Sequence, residues 1–193
     1  MQHDPSRTSY YVGDHFYQSL VDSYADWQTD DAEITDPDLR DTCRMLLEKE
    51  ARLLDRNKLD DWLTLYVPEC LYWVPATPHG GDPRTEIAVC FDDRRRIEDR
   101  IYRLQNEFAW SQRPLSRTAR LITNISAFST KDPDTLMVRS TFLTNEFQAG
   151  DKRNYTGWYG HKIGFIDGGW KILVKQVNLI DCDQNLRNLS IIL

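Results

Sequence analysis

The chain has 193 residues, of which 40% are hydrophobic and 28% are charged, and its formal net charge is −6. This size and composition predict a soluble globular domain with a substantial core. The sequence contains no apolar run of about eighteen residues, so no membrane span is predicted. The N-terminus lacks the pattern of a secretory signal. The four cysteines form no CxxC pair. A reduced, cytoplasmic compartment is the simpler expectation, with Cys43 and Cys90 as core thiols.

The charge is unevenly distributed along the chain. Residues 1–38 contain nine acidic residues and one basic residue, Arg7, which gives −8 and leaves +2 for the remaining residues. A nearly neutral body offers no long-range attraction for phosphate, and the acidic segment repels it. No nucleic-acid partner is therefore expected.

The acidic N-terminal segment also contains six aromatic residues, whereas disordered tails usually contain few. Asp14 is placed to cap a helix with an amphipathic spacing. Its apolar positions are Tyr17, Leu20, Val21, Tyr24 and Trp27. We expect this helix to cover part of the chain's own core, and the alternative is an arm that docks on a neighbouring subunit.

Two helices and two strands are predicted between residues 36 and 91. Asp36 and Pro37 begin a helix that extends to about Asn57. Its apolar face consists of Leu39, Cys43, Leu46, Leu47, Ala51 and Leu54. A second, short helix ends at Pro68. It carries Leu59, Trp62, Leu63 and Tyr66 on one side. The segments 70–78, CLYWVPATP, and 85–91, TEIAVCF, are typical of strands, the first stopped by Pro75.

The segment 92–104, DDRRRIEDRIYRL, predicts an amphipathic helix whose apolar seam is Ile97, Ile101 and Leu104. Charged residues four apart can pair along the other faces, each pair contributing about 0.2–0.5 kcal/mol in an isolated helix. These pairs are Asp92–Arg96, Arg94–Glu98, Arg95–Asp99 and Asp99–Arg103. A solvated, self-paired face is the default interpretation. A subunit interface is the main alternative, because arginine is favoured at interfaces, and a catalytic cluster ranks third. The candidate interface residues are Arg94, Arg95, Arg96, Arg100 and Arg103.

From residue 117 onward the hydrophobic pattern has a period of two, which predicts strands. The strands are 117–128, 135–147, 154–165 and 170–180, with turns at Gly150-Asp151 and at Asp167-Gly168-Gly169. Long strands joined by tight turns predict an antiparallel meander. The fold class is therefore α+β, with N-terminal helices packed on one concave face of a curved sheet. We expect residues 1–37 to be an extension and residues 38–193 to form a single domain.

The sequence offers few residues for catalysis. The histidines His3, His15, His79 and His161 form no spacing typical of a zinc or iron–sulfur site. A 2-His-1-carboxylate iron site would require two of them to converge, although two lie in the N-terminal segment and one in a loop. The strongest candidate is His161, on a predicted strand face with Tyr155, Tyr159, Ile163 and Phe165. A histidine among aromatic residues is more often a hydrogen-bonded core or interface residue than a base.

Two segments resemble the small (β) subunit of the aromatic-ring-hydroxylating dioxygenases. They are EARLLDRNKLDDWLTLYVPECLYWVP from Glu50 and DDRRRIEDRIYRLQNEFAWSQRPLSRTARLITNI from Asp92. The resemblance covers roughly Leu39 to Leu193, and its most specific parts are EARLLD…W and RPLSRTARLITN. It implies a cone-shaped α+β fold similar to nuclear transport factor 2 and scytalone dehydratase.

The same resemblance implies a structural, non-catalytic role, so no catalytic, cofactor-binding or metal-binding residue is assigned to this chain. The Rieske [2Fe–2S] cluster and the mononuclear Fe(II) belong to a separate large (α) subunit in this family. Three β subunits assemble with three α subunits as α3β3. The complex adds both atoms of dioxygen to an aromatic ring with electrons from NAD(P)H, giving a cis-dihydrodiol. The last strands resemble the benzoate and anthranilate branch, which points to an aromatic acid as substrate.

Two alternatives stay open on the sequence alone. The first is a stand-alone isomerase or dehydratase of the same fold, using His161 with Tyr155 or Asp61 as a pocket acid–base pair. The second is a binding or scaffold module without an enzyme partner. A His–carboxylate pair inside the cone would favour the first alternative, and a pocket filled by aromatic side chains would argue against it.

Overall fold

A computed structural model describes residues 14–78, 80–106, 110–186 and 189–193 of the chain. Within these residues, four α-helices accompany a six-stranded sheet with the order β2-β1-β6-β5-β4-β3. The elements are α1 (Asp14–Tyr24), α2 (Pro37–Asp55), α3 (Leu59–Leu63), β1 (Tyr66–Pro75), β2 (Ala88–Asp93), α4 (Arg94–Gln105), β3 (Arg117–Ser129), β4 (Thr135–Gln148), β5 (Asp151–Ile166) and β6 (Gly169–Leu179). The predicted α+β class is confirmed. No described helix is both long and apolar enough to cross a membrane.

Helix α2 begins as its sequence predicts. The Asp36 side chain accepts hydrogen bonds from the backbone N–H groups of Asp38 (2.9 Å) and Leu39 (3.3 Å), and Pro37 is the first helical residue. These contacts satisfy donors that have no partner within the helix. The helix ends at Asp55, two residues before the predicted end. Asn57 adopts a φ of 53°, a left-handed conformation that asparagine tolerates after a helix.

The boundary between α3 and β1 differs from the prediction. The helix ends at Leu63, and Tyr66 already belongs to a strand that continues through Pro68. Proline is tolerated there because the pairing of β1 with β6 shifts between Tyr66 and Leu71. Its missing N–H therefore falls in an irregular part of the ladder.

The helix predicted from residue 92 begins two residues later in the structure, at Arg94. Asp92 and Asp93 end strand β2, and the Asp93 side chain caps α4 by accepting from the Arg96 N–H (2.9 Å). Asp92 is consequently paired with Arg100 (2.6 Å), and the predicted Asp92–Arg96 pair is wrong. The predicted Arg94–Glu98 pair is confirmed at 2.8 Å. The apolar seam is also confirmed, with Ile97 and Ile101 buried and Leu104 packed at its edge.

Strands β3 to β6 form the predicted antiparallel meander. The sheet as a whole is mixed, because β1 lies parallel to β6, with Leu71 opposite Val174. The prediction that Phe165 joins the inward row of β5 is wrong, since its side chain is 48% exposed. It lies next to the end of the β5–β6 ladder and packs against Trp170 (ring centroids 5.5 Å apart).

The two faces of the sheet are covered by different helices. We call the face that packs on α2, α3 and α4 the inner face, and it holds the main core. We call the face under α1 the outer face, where Leu20 packs on Leu71, Trp73 and Val174. The described part of the acidic segment thus lies on the chain's own sheet, whereas the division at residue 37 stays a prediction. Cys43 and Cys90 are buried free thiols, as predicted.

Candidate functional site

His161 lies on the inner face, within a buried ionic cluster. Its Nε2 atom is 3.1 Å from Oε2 of Glu50 on α2, and Nζ of Lys175 on β6 is 3.0 Å from the same oxygen. Glu50 is 2% exposed and His161 is 0% exposed. Strands β5 and β6 place His161 directly opposite Lys175, so both side chains point from the sheet toward the helix.

The second oxygen of Glu50 is equally well satisfied. Oε1 accepts hydrogen bonds from Trp62 Nε1 (3.0 Å) and from Tyr66 Oη (2.9 Å). A buried carboxylate is tolerated only when it is paired and hydrogen-bonded, and here each oxygen has two partners. We name Glu50, Trp62, Tyr66, His161 and Lys175 the Glu50 cluster.

Aromatic rings enclose the cationic side of the Glu50 cluster. The Lys175 ammonium lies 4.3 Å from the centroid of the Tyr159 ring, a cation–π contact that is stronger in a desolvated site. Phe142 stacks on the Tyr159 ring, with the two ring centroids 4.0 Å apart. The interior of the fold is therefore filled by side chains around the ionic group.

Burial and charge set the protonation states within the cluster. Burial tends to raise the pKa of Glu50, but the Lys175 charge and the hydrogen bonds from His161 and Trp62 outweigh it and hold that pKa well below its usual range. Burial lowers the pKa of His161 and of Lys175, and Glu50 opposes both shifts. These directions favour an ionised Glu50 and a neutral His161, and the geometry pairs the Glu50 carboxylate with Nζ of Lys175.

The partners predicted for His161 are placed elsewhere. The Tyr155 hydroxyl donates to Oε2 of Glu146 (3.0 Å), and Asp61 is exposed on α3. The carboxylate that does pair with His161 is Glu50, which the sequence analysis missed. One signal was present, because Glu50 stands three residues after Leu47 on the apolar face of α2. A His–carboxylate pair thus exists, but it is sealed in the core and offers no route for a substrate.

Comparisons with known proteins identify the family. The family described as "Ring hydroxylating beta subunit" matches residues 49–184. The chain belongs to this family. The benzoate 1,2-dioxygenase subunit beta of Acinetobacter baylyi is 36% identical over 138 residues, covering 69% of this chain and 81% of that protein. The small oxygenase component of the p-cumate 2,3-dioxygenase system of Pseudomonas putida is 33% identical over 133 residues, covering 68% and 73%.

Solved structures agree on the fold of this β subunit. A structure of naphthalene 1,2-dioxygenase with indole bound matches with a TM-score of 0.73 at 20% identity, covering 100% of both chains. A putative scytalone dehydratase from Novosphingobium aromaticivorans matches with a TM-score of 0.56 at 17% identity, covering 80% of this chain and 94% of that one. The predicted family and the predicted scytalone dehydratase-like fold are both confirmed. The relatives are named as subunits of dioxygenases, and the dehydratase match, at 17% identity, shows the fold alone.

The candidate interface arginines of the β subunit fall into two groups. Arg94 donates to Glu98 (2.8 Å) and to the Leu63 carbonyl (3.3 Å), and Arg100 is bound to Asp92. Their charges are used within the chain. Arg96 and Arg103 are exposed, and Arg95 is partly buried. The interface itself stays a prediction, and the structure directs its test toward the exposed pair.

The histidines do not converge in the described part of the chain. His161 is in the core, His15 is exposed on α1, and His3 and His79 lie outside the described residues. Among the residues that the structure describes, no group of three or more His, Cys, Asp or Glu side chains could hold a metal ion.

Proposed function

We propose that this chain is the structural, non-catalytic β subunit of an α3β3 ring-hydroxylating dioxygenase in the cytoplasm. The large α subunits would contain the Rieske [2Fe–2S] cluster and the mononuclear Fe(II). The complex would convert an aromatic carboxylate, dioxygen and NAD(P)H to a cis-dihydrodiol and NAD(P)⁺, with uptake of one proton. The substrate class is supported by the two relatives, which are named for benzoate and p-cumate.

The observation that carries the structural role is the sealed Glu50 cluster. Two acid–base side chains in the interior, Glu50 and His161, bind each other and lie out of reach of solvent. A catalytic acid or base must come within hydrogen-bond distance of its substrate. The interior of this subunit is therefore used for stability, and the chemistry is assigned to the partner.

Co-expression with a large-subunit candidate that carries a CxH…CxxH motif tests the assignment. The molecular mass and the iron content of the β subunit alone and of the complex should be measured. We expect iron only in the complex, and a mass that fits α3β3. Iron bound stoichiometrically by the β subunit alone, or turnover without a partner, would overturn the structural role.

The substrate class requires a separate measurement on the same complex. NADH and oxygen consumption, with the reductase present, should be compared for benzoate and for toluene, which lacks the carboxylate. We expect coupled turnover with benzoate, and little or none with toluene. Equal turnover of both compounds would contradict the carboxylate preference and leave the subunit assignment intact.

A further inference from the structure

The segment 189–193 lies inside the fold and is held like a bound ligand. Ile191, Ile192 and Leu193 are all buried in the main core, and Leu193 is 0% exposed. Three side chains from separate parts of the chain bind its polar atoms. The Gln112 amide donates to the carbonyl (3.1 Å) and hydroxyl (3.0 Å) of Ser190.

The deeper contacts of this segment involve Arg120 and Tyr72. Nη2 of Arg120 donates to the Ile192 carbonyl, and the Leu193 N–H donates to the Tyr72 hydroxyl (3.0 Å). Residues 189–193 therefore combine an apolar body with a hydrogen-bond acceptor directed at a guanidinium. That combination also describes a small apolar molecule with a carboxylate.

Arg120 has binding capacity that the segment leaves unused. Its side chain is 2% exposed, and Nη1 is committed to Asp55 (2.5 Å) and Thr118 (2.9 Å). Its Nε atom is buried and has no hydrogen-bond partner among the described residues. Nε and Nη2 form one edge of the planar guanidinium, and such an edge binds a carboxylate with two parallel hydrogen bonds. In this structure the Ile192 carbonyl accepts from Nη2 and not from Nε.

An opening lies beside the segment. A cavity of about 40 Å³ is lined by Arg120 and by Ser190, Ile191 and Ile192, together with residues of α2 and the 110–118 region. This volume holds little more than a water molecule or two, so a ligand would enter only as the segment withdraws.

We infer that the space on the inner face beside Arg120 and Tyr72 is a binding site for small apolar carboxylates. In this structure residues 189–193 occupy it. The ligand's apolar body takes the place of the Ile192 and Leu193 side chains. Its carboxylate takes the Nε–Nη2 edge of Arg120 and the Tyr72 hydroxyl. Because these recognition groups alone specify the ligand, the inference does not depend on the proposed substrate class of the complex.

The test uses the full chain without the large subunit, so that no active site competes for the probe. Benzoate and toluene are titrated by calorimetry into the wild type and into the variant Ile192→Ala/Leu193→Ala, which vacates the apolar space. We expect benzoate to bind the variant at least tenfold more tightly than the wild type. Adding Arg120→Lys to this variant keeps the charge but removes the planar edge of the guanidinium. It should weaken the binding of benzoate at least tenfold and the binding of toluene less than twofold.

A matched control and a wild-type measurement complete the test. Arg117→Lys, on the same strand but with its guanidinium over the Phe147 ring (4.8 Å), should leave benzoate binding unchanged. In the wild type, saturating benzoate should raise the hydrogen-exchange rate of the Leu193 amide at least threefold. Equal benzoate binding by the wild type and the vacated variant overturns the inference, as does an equal loss of toluene and benzoate with Arg120→Lys. If the double variant does not fold, Leu193→Ala and the exchange measurement decide the outcome.

Discussion

The inner and outer faces of the sheet bury different kinds of side chain. The inner face contains a carboxylate, an ammonium and an imidazole that are bound to one another and to aromatic side chains. The outer face is covered by α1 through apolar contacts around Leu20. Two cavities of about 440 and 350 Å³ flank Leu20 on that side.

This difference indicates how each face responds to change. A charge pair in the core tolerates only a narrow range of geometries, since an unpaired buried charge is costly. An apolar contact next to open space can be re-formed when the neighbours move. The inner face should therefore be rigid and sensitive to substitution, whereas the outer face should be adaptable.

Removing the central carboxylate gives the largest expected effect. Glu50→Ala leaves the Lys175 ammonium buried without its partner, and losing one member of a buried pair costs about 3–5 kcal/mol. The free energy of unfolding should be measured by urea denaturation. Glu48→Ala, on the same helix but 35% exposed, is the control and should cost less than about 1 kcal/mol. A loss below about 1 kcal/mol for Glu50→Ala would mean that the cluster is solvated.

A matched leucine pair compares the two faces directly. Leu47 on the inner face is 2% exposed and Leu20 on the outer face is 3% exposed. Burial alone would therefore predict equal losses of unfolding free energy when each is replaced by alanine. We expect Leu47→Ala near the upper end and Leu20→Ala near the lower end of the usual range of about 2.7–5.0 kcal/mol. The reason is that the cavities beside Leu20 let its neighbours relax. Equal losses in urea denaturation would remove the distinction between a rigid and an adaptable face.

The protonation of His161 provides a smaller, pH-dependent effect. Its pKa is lowered in the folded chain, so below about pH 6.5 the unfolded chain binds a proton that the folded chain does not. Stability should therefore fall as the pH decreases from about 6.5, by up to about 1.4 kcal/mol per pH unit. Glu50, whose pKa is also lowered, adds a further loss only below about pH 4.3.

Urea denaturation between pH 7.5 and 5 measures this slope, and two histidine variants assign it. His161→Gln should flatten the dependence of the unfolding free energy on pH over this window. His15→Gln removes an exposed histidine on α1 and should leave the slope unchanged. A slope that persists in His161→Gln would assign the acid sensitivity to another group.

The elements with local signals could be predicted from the sequence. The cap and apolar face of α2, the seam of α4 and the meander β3–β6 follow from spacing within short segments. The predicted ends of helices and strands were wrong where contacts between distant parts of the chain determine them. Pro68 continues a strand because the ladder is irregular there, and Asp92 joins β2 and binds Arg100. The parallel pairing of β1 with β6 has no local signal at all.

The ionic cluster illustrates the same limit for the site. His161 could be singled out as a histidine among aromatic residues, but its partner Glu50 lies 111 residues away in the chain. A glutamate on an apolar helix face signals only that some partner exists. Its identity depends on the register that places His161 opposite Lys175, and periodicity does not specify that register.

Substituting the exposed arginines of α4 should have the smallest effect on the stability of the fold, because their proposed role is in assembly. Arg96→Glu/Arg103→Glu reverses two exposed charges and should change the unfolding free energy of the isolated chain by less than about 1 kcal/mol. If this face binds a partner subunit, reversed charges repel it. We expect the complex to dissociate at a concentration at least about tenfold higher, measured by light scattering.

A charge-matched control separates this surface from the net charge of the chain. Lys131→Glu/Lys152→Glu also reverses two exposed charges, on the β3–β4 turn and on β5. Assembly should then be unaffected, because the overall charge changes equally but α4 is intact. Equal weakening by both variants would assign the effect to general repulsion, and no weakening by either would leave the α4 arginines a solvated surface. Only a selective loss with the α4 variant supports a specific contact. It would place the sensitive part of the assembly on the helix whose Arg94 and Arg100 are already bound within the chain.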